Sequence, residues 1–156
     1  MKTFKFRGKS KKDGTWAYGD YVVAQVRHIK TWVKRPYILH IYGNGGMLYV
    51  CGRTLVLEDT VGQYTGINDN NGREIYEGDI IRFKYEDYSE YNINGYHAPR
   101  EVISEVKFEY GEYRLNGYPC RLGDCLDWAD DECEFEVIGN IYDNPELINH
   151  STTQDQ

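Results

Sequence analysis

Apolar and polar side chains alternate along three segments in the second half of the chain. The segments are Ile80–Tyr85, Val102–Tyr110 and Phe135–Ile141, in which apolar residues recur mainly at every second position with charged residues between them. A period of two is that of a β-strand with one buried face. Three or four short strands joined by turns predict a small barrel or sandwich, because an open sheet of this size would leave its edges exposed.

Turn residues precede and follow these segments. Glu77-Gly78-Asp79 resembles the turn that leads the chain into the first long strand of SH3-like barrels, so we predict a small SH3-like barrel here. Gly111-Glu112 predicts a tight turn after the middle strand. Upstream, Gly62 and Gly66 predict a sharp chain reversal, and Asn71-Gly72 predicts a two-residue hairpin turn.

The first third of the chain has the same β character. Tyr21–Ile29, Tyr37–Tyr42 and Met47–Val56 are short and rich in valine, isoleucine, leucine and tyrosine, which predicts strands. The Gly-Asn-Gly-Gly sequence at 43–46 predicts a turn between the last two. We therefore predict a small antiparallel meander in this part.

Two short helices are predicted near the end of the chain. Arg121–Asp130 places Leu122, Cys125 and Leu126 on one face, and Asn144 is a good N-cap residue for a second helix. The segment 86–100 has no clear period and predicts a long surface loop. The whole chain is therefore predicted to be mainly β, two small antiparallel β modules with one or two short helices.

Charge divides the chain just before Glu58. Residues 1–57 carry eleven Lys/Arg and two Asp, a net charge of +9, whereas residues 58–156 carry seven Lys/Arg and twenty-three Asp/Glu, a net charge of −16. We interpret residues 1–57 as a basic N-terminal β module and residues 58–156 as an acidic C-terminal, barrel-like module. Such segregation indicates either nucleic-acid contact by the basic part or contact between the two parts.

Three stretches resemble the YopX family, small proteins encoded mainly by bacteriophages and prophages. The longest is VGQYTGINDNNGREIYEGDII at Val61–Ile81, and the others are KFRGK with WAYGD near the start and FEVIGNIYDNPEL at Phe135–Leu147. They occur in the order found in the family and cover about a third of the chain. The resemblance implies an accessory protein of a phage or prophage, and the family offers no catalytic residues to carry over.

The four cysteines and the acidic run are candidate metal ligands. Cys120, Cys125 and Cys133 are separated by four and seven residues, without the close pair typical of structural zinc sites. Because cysteines normally stay reduced in the cytoplasm, free thiols are expected at all four positions, Cys51 included. The acidic residues between Asp124 and Glu136 could bind magnesium or calcium, but a solvated acidic face is commoner. We predict no metal, no cofactor and no catalytic residue.

A basic, aromatic-rich surface is the strongest candidate for binding. Cations supply charge for a nucleic-acid backbone and exposed rings supply stacking for bases. The alternative is that the rings form the core and the cations pair with the acidic part, which would leave the intact protein a weak binder of nucleic acid. The candidate residues for a nucleic-acid or partner surface are Lys5, Arg7, Lys9, Lys11, Lys12, Trp16, Arg27, Lys30, Trp32, Lys34 and Arg35.

The leading functional hypothesis is a non-catalytic accessory protein that acts by contact with a phage or host macromolecule. A nucleic-acid-binding module using the basic part is the alternative, and a metal-dependent enzyme is the third. The chain lacks an apolar run of the length of a signal peptide core or a membrane span, so we expect it in the bacterial cytoplasm, with no membrane partner. Homo-oligomerisation stays open.

Overall fold

The computed structural model describes residues 4–44, 47–86, 99–118, 121–128 and 134–149. It is mainly β, as the sequence predicts, with ten strands and two short helices in these ranges. The chain divides into two compact units, unit 1 (Met1–Tyr64) and unit 2 (Thr65–Gln156). The charge pattern places its own division seven residues earlier, before Glu58.

Unit 1 is built on five strands, β1 (Phe6–Lys9), β2 (Trp16–His28), β3 (Thr31–Asn44), β4 (Met47–Leu55) and β5 (Gly62–Asn68), the last of which runs across the division between the units. They pair antiparallel in the order β4-β3-β2-β1-β5. A 3₁₀ turn at Glu58–Thr60 lies between β4 and β5.

The small core of unit 1 forms where β1, β3 and the end of β4 meet. Ile38 and Val56 are almost completely buried there. Val56 forms a bridge with Ser10 and donates its backbone N–H to Pro36 O at 3.1 Å. Gly8 packs against the Val56 side chain, and a Cβ at this position would lie 3.1 Å from the Val56 Cβ.

The elements of unit 2 are β6 (Glu74–Tyr76), β7 (Asp79–Glu86), β8 (Pro99–Glu109), β9 (Glu112–Leu115), α1 (Leu122–Trp128), β10 (Phe135–Asn140) and α2 (Glu146–Asn149). Four of the strands form an antiparallel sheet with the order β10-β7-β8-β9. The SH3-like barrel stays a prediction, because this order leaves β10 and β9 at the two ends of the sheet among the described residues.

The core of unit 2 follows the predicted alternation. Phe83 and Phe135 meet edge to face with ring centroids 5.8 Å apart. Each fully buried side chain of this size contributes about 1.5–3 kcal/mol. The remaining buried members come from β6 to β10 and α1: Ile75, Ile81, Val102, Val106, Leu115, Leu122, Cys125 and Val137. Phe108 departs from the pattern, since 52% of its side chain is exposed beside the β8–β9 turn.

Two turn predictions upstream of β7 are wrong. Gly62 and Gly66 lie within the single strand β5, so the chain does not reverse there. The β5–β6 connection is a five-residue turn, Asp69–Arg73, rather than a two-residue Asn71-Gly72 hairpin. Asp69 explains the difference, because its Oδ1 accepts the backbone N–H groups of Asn71 at 2.9 Å and Arg73 at 2.8 Å.

The expectation of free thiols holds at one position and fails at another. Cys51 is free and exposed on β4, and its Sγ donates to His40 O at 3.0 Å. Cys125 is disulfide-bonded, so the prediction of a free thiol there is wrong. A reducing cytoplasm favours free thiols, but Cys125 is completely buried and thus shielded from soluble reductants. Cys120 and Cys133 lie outside the described residues, as does nearly all of the predicted 86–100 loop.

Candidate functional site

The hairpin of β2 and β3 extends beyond the strands on either side of it. β2 pairs with β1 only through Trp16–Gly19, and β3 pairs with β4 only from Tyr37 onwards. Residues Ala24–Arg35 therefore pair only with each other in the part of the chain that the structure describes, and Val23 pairs with Pro36. We call this two-stranded segment, Val23–Pro36, the ribbon.

A strained two-residue turn forms the tip of the ribbon. His28 pairs with Thr31, which leaves Ile29 and Lys30 as the turn. Ile29 has a φ of 52° and is 78% exposed. A β-branched residue in the left-handed region is an outlier that costs of order 1–3 kcal/mol, and such residues cluster at functional sites.

The register assigns each ribbon side chain to one of two faces. Arg27 lies opposite Trp32, and Gln25 lies opposite Lys34. Because directly opposed residues share a face and alternate residues return to it, these four stand on the same side together with Val23. All five are exposed, including Val23 at 42% and Trp32 at 68%. We call this set the outer face.

The other side of the ribbon is half-buried. Val26 pairs with Val33 and Ala24 pairs with Arg35 on this face, and all four side chains are partly covered. A groove of about 550 Å³ lies beside the ribbon and is lined by Lys11, His28, Val33, Arg35, Pro36, the segment 55–59 and the outer-face residue Lys34. Because Glu58 and Asp59 are among its lining residues, this groove carries charges of both signs.

The ribbon cations have no acidic partner among the described residues. No Asp or Glu occurs between Tyr21 and Leu57. The salt bridges that the structure contains in its described ranges lie in unit 2 or involve cations other than these four: Arg27, Lys30, Lys34 and Arg35. The alternative in which such cations pair with the acidic part of the chain stays a prediction, because residues 129–133 of the acidic run lie outside the described ranges.

The other predicted surface residues form a separate group on β1 and the start of β2. Arg7 is only 3% exposed, so the structure places it inside unit 1 rather than on its surface. Its guanidinium carbon lies 4.7 Å from the centroid of the Trp16 ring, and the Lys9 Nζ lies 5.7 Å from it. The half-buried Trp16 is thus already occupied by cations of its own unit, while Lys5 is also half-buried.

Lys11 and Lys12 are exposed in the turn between β1 and β2. They line a second groove of about 540 Å³, together with Trp16, Arg53 and Asp13. Asp13 organises the turn, because its Oδ1 accepts the Thr15 hydroxyl at 2.7 Å and the Thr15 backbone N–H at 3.2 Å. The hydroxyl hydrogen bond from Thr15 is the main cause that lowers the pKa of Asp13.

The structure therefore separates the eleven predicted residues into two groups. The first group lies on the ribbon: Arg27, Lys30, Trp32, Lys34 and Arg35. The second lies on β1, the residue before it, the following turn and the start of β2: Lys5, Arg7, Lys9, Lys11, Lys12 and Trp16. Sequence reasoning missed the outer-face residues Val23 and Gln25 and the tip residue Ile29. The signal for Val23 and Gln25 was their alternation with Arg27, which becomes informative only once the turn at Ile29 and Lys30 fixes the register.

The acidic run is used in part for ion pairs. Glu136 pairs with Arg82, and Glu134 lies 2.8 Å from Lys84 Nζ and 3.7 Å from Arg82 Nε. Residues 129–133 lie outside the described ranges. Within those ranges no three His, Cys, Asp or Glu side chains come together as metal ligands would, and no helix is long and apolar enough to cross a membrane.

Comparison with known proteins places the chain by family and by fold. The family model described as YopX protein matches residues 5–149. A crystal structure of protein EF1440 from Enterococcus faecalis superposes with a TM-score of 0.55 at 22% sequence identity, over 94% of this chain and 98% of that one. At this identity the match supports the fold alone. No curated protein matches the chain significantly. Because the family model spans nearly the whole sequence, the chain belongs to the YopX family.

Proposed function

We propose that the protein is a non-catalytic accessory protein of a phage or prophage, which works in the bacterial cytoplasm by contact with a phage or host macromolecule. The contact surface is the outer face of the ribbon. One observation carries this proposal: Trp32 and Val23 are exposed on a ribbon that pairs with no further strand in the described chain, between cations that have no acidic partner there.

The exposure of Trp32 is the physical reason to expect a partner. Tryptophan and arginine are enriched in the centres of binding interfaces, and Arg27 lies opposite Trp32. The strained conformation of Ile29 at the tip agrees with this, because strained backbone conformations cluster at functional sites. Arg7 and Trp16 have structural roles instead, since the two side chains pack on each other inside unit 1.

Site-specific photo-crosslinking in lysogenic or infected cells tests the proposal. Val23 would be replaced by the photoreactive residue benzoylphenylalanine, and Phe108 of unit 2, which is comparably exposed, would carry the same residue as a matched control. We expect a discrete adduct from position 23 and none of the same mass from position 108. Protease and nuclease treatment then reports the class of the adduct. No adduct, or the same adduct at both positions, would refute the proposal.

The metal-dependent enzyme makes a different prediction. A true metal site stabilises the fold by mass action, so thermal unfolding would shift with magnesium, calcium or zinc. We expect no shift with any of the three ions. A shift of several degrees with one of them would bring the enzyme hypothesis forward.

A further inference from the structure

The outer face of the ribbon has the charge that a polyanion requires. Residues 21–57 carry five Lys/Arg and no Asp or Glu, although the whole chain has a net charge of −7. Lys34 and Arg27 stand on the outer face, and Lys30 lies at its tip. Phosphate contacts supply most of the affinity of sequence-independent nucleic-acid binding. A phosphate chain along this face would meet cations and no carboxylate of the ribbon.

Trp32 stands among these cations with its ring unoccupied. Arg27 lies directly across from it, and Lys34 is the next residue on the same face of β3, about 7 Å further along the strand. Among the described residues no cation lies over the Trp32 ring and no aromatic ring packs on it, whereas Arg7 and Lys9 both lie over Trp16. Of these two tryptophans, Trp32 is therefore the one that can take a stacked base.

The arrangement favours a single strand over a duplex. An exposed indole stacks on the face of a base, and in a duplex those faces are covered by neighbouring base pairs. A second copy of the ribbon fits poorly, because it would bring like charges together.

Resting on the proposed function, we propose that the occupant of the outer face is a single-stranded nucleic acid. Trp32 stacks on a base, and Arg27 and Lys34 contact the phosphates on either side of it. Binding is independent of sequence, because each base has a face on which the indole can stack. The contacts of Arg27 and Lys34 with phosphates release counterions, so binding weakens as the salt concentration rises. The negative charge of the whole chain lowers the affinity further through long-range repulsion.

Fluorescence anisotropy of a labelled oligothymidylate with the full-length protein tests this inference. We expect binding that weakens steeply with salt, and weaker binding of the same label on a duplex. Trp32→Ala should reduce the affinity about tenfold, and Trp32→Phe should retain most of it because phenylalanine also stacks. Lys34→Glu should lower the affinity and reduce the salt slope, whereas Lys12→Glu, with the same change in net charge, should have a smaller effect.

Three results would overturn the inference. The first is no binding of the single strand at low salt, and the second is equal affinity of the wild type and Trp32→Ala. The third is binding of phosphatidylserine vesicles, or Trp32-dependent dimerisation in ultracentrifugation, without binding of the oligonucleotide. A protein adduct from position 23 in cells together with any of these results would leave the proposed macromolecular contact intact and reject the nucleic acid as its partner.

Discussion

The Asp69 carboxylate accepts a hydrogen bond of 3.0 Å from the backbone N–H of Val137, which lies 68 residues further along the chain. Its other oxygen accepts two N–H groups of its own turn, and the residue is only 6% exposed. The Arg73 guanidinium then donates to Val137 O at 3.1 Å. One side chain thus shapes the β5–β6 turn and fastens it to β10.

Asp69→Ala should therefore destabilise unit 2 strongly. The substitution leaves three backbone N–H groups without their acceptor, and one of them is buried at Val137. We expect a loss of about 3 kcal/mol or more in the free energy of unfolding, measured by urea denaturation. Asn71→Ala is the control, since its exposed side chain lies in the same turn and should cost less than about 1 kcal/mol. Similar losses for the two variants would contradict the assigned role.

Gly19→Ala tests the close approach of β2 and β3. A Cβ on Gly19 would overlap the carbonyl oxygen of Leu39, which is backbone and cannot move aside cheaply. We expect a loss of about 3 kcal/mol or more in the stability of unit 1. Gly14→Ala is the matched control: it has a φ of 73° and no neighbouring atom within 4 Å of the place that a Cβ would take, so only the backbone cost of about 1–2 kcal/mol should appear. Equal effects would show that the strands separate without strain.

Much of the fold follows from local pattern. Ile81, Phe83 and Val106 alternate with charged residues, so β7 and β8 could be predicted together with the face that each buries. β1 could not be predicted, because it has only four residues and no alternation. Arg7 and Gly8 are consecutive and both buried, since Arg7 contacts Trp16 and Gly8 contacts Val56. Packing between distant residues leaves no local signal.

The candidate site shows the same limit. Charge and aromatic content identified both Trp16 and Trp32, but they could not tell which ring the chain itself would cover. That outcome depends on β1 lying beside β2, which puts Arg7 and Lys9 near Trp16 and leaves Trp32 exposed. The turn at Ile29 and Lys30 has no glycine or asparagine, so it carries no local hairpin signal. The sequence pattern therefore does not predict residues 31–36 as a strand that pairs with β2.

The β8–β9 hairpin contains a turn that can be improved. Tyr110 and Gly111 have φ values of 54° and 86°, and they form the two-residue turn between Glu109 and Glu112. Asparagine tolerates this conformation better than tyrosine, and Tyr110 is 91% exposed. Tyr110→Asn should raise the free energy of unfolding by about 0.5–1 kcal/mol, after the loss of the weak contact between Arg114 and the Tyr110 ring.

Thermal and urea unfolding of Tyr110→Asn would be compared with Glu109→Asn, which changes an exposed strand residue beside the same turn. The second variant should gain nothing, because Glu109 is already in extended conformation. A decrease in stability for Tyr110→Asn would mean that the ring contributes more than the backbone conformation costs.

The ion pairs around Glu134 predict how stability depends on pH. A hydrogen bond from Lys84 is the main cause that lowers the pKa of the Glu134 carboxyl, and the charges of Lys84 and Arg82 lower it further. A carboxyl whose pKa is lower in the folded than in the unfolded protein adds stability above its unfolded pKa, and this contribution is lost as the pH falls through the folded pKa. Glu134→Gln should therefore have a lower free energy of unfolding than the wild type at neutral pH, and the two values should converge in acid.

Salt should reduce this difference in the free energy of unfolding at neutral pH, because the pair is exposed to solvent. Glu109→Gln, whose carboxylate has no ion pair among the described residues, is the control and should show no such convergence. Urea denaturation at several pH values measures both variants, and a Glu134→Gln difference that stays constant from neutral to acid pH would show that the carboxylate charge contributes nothing.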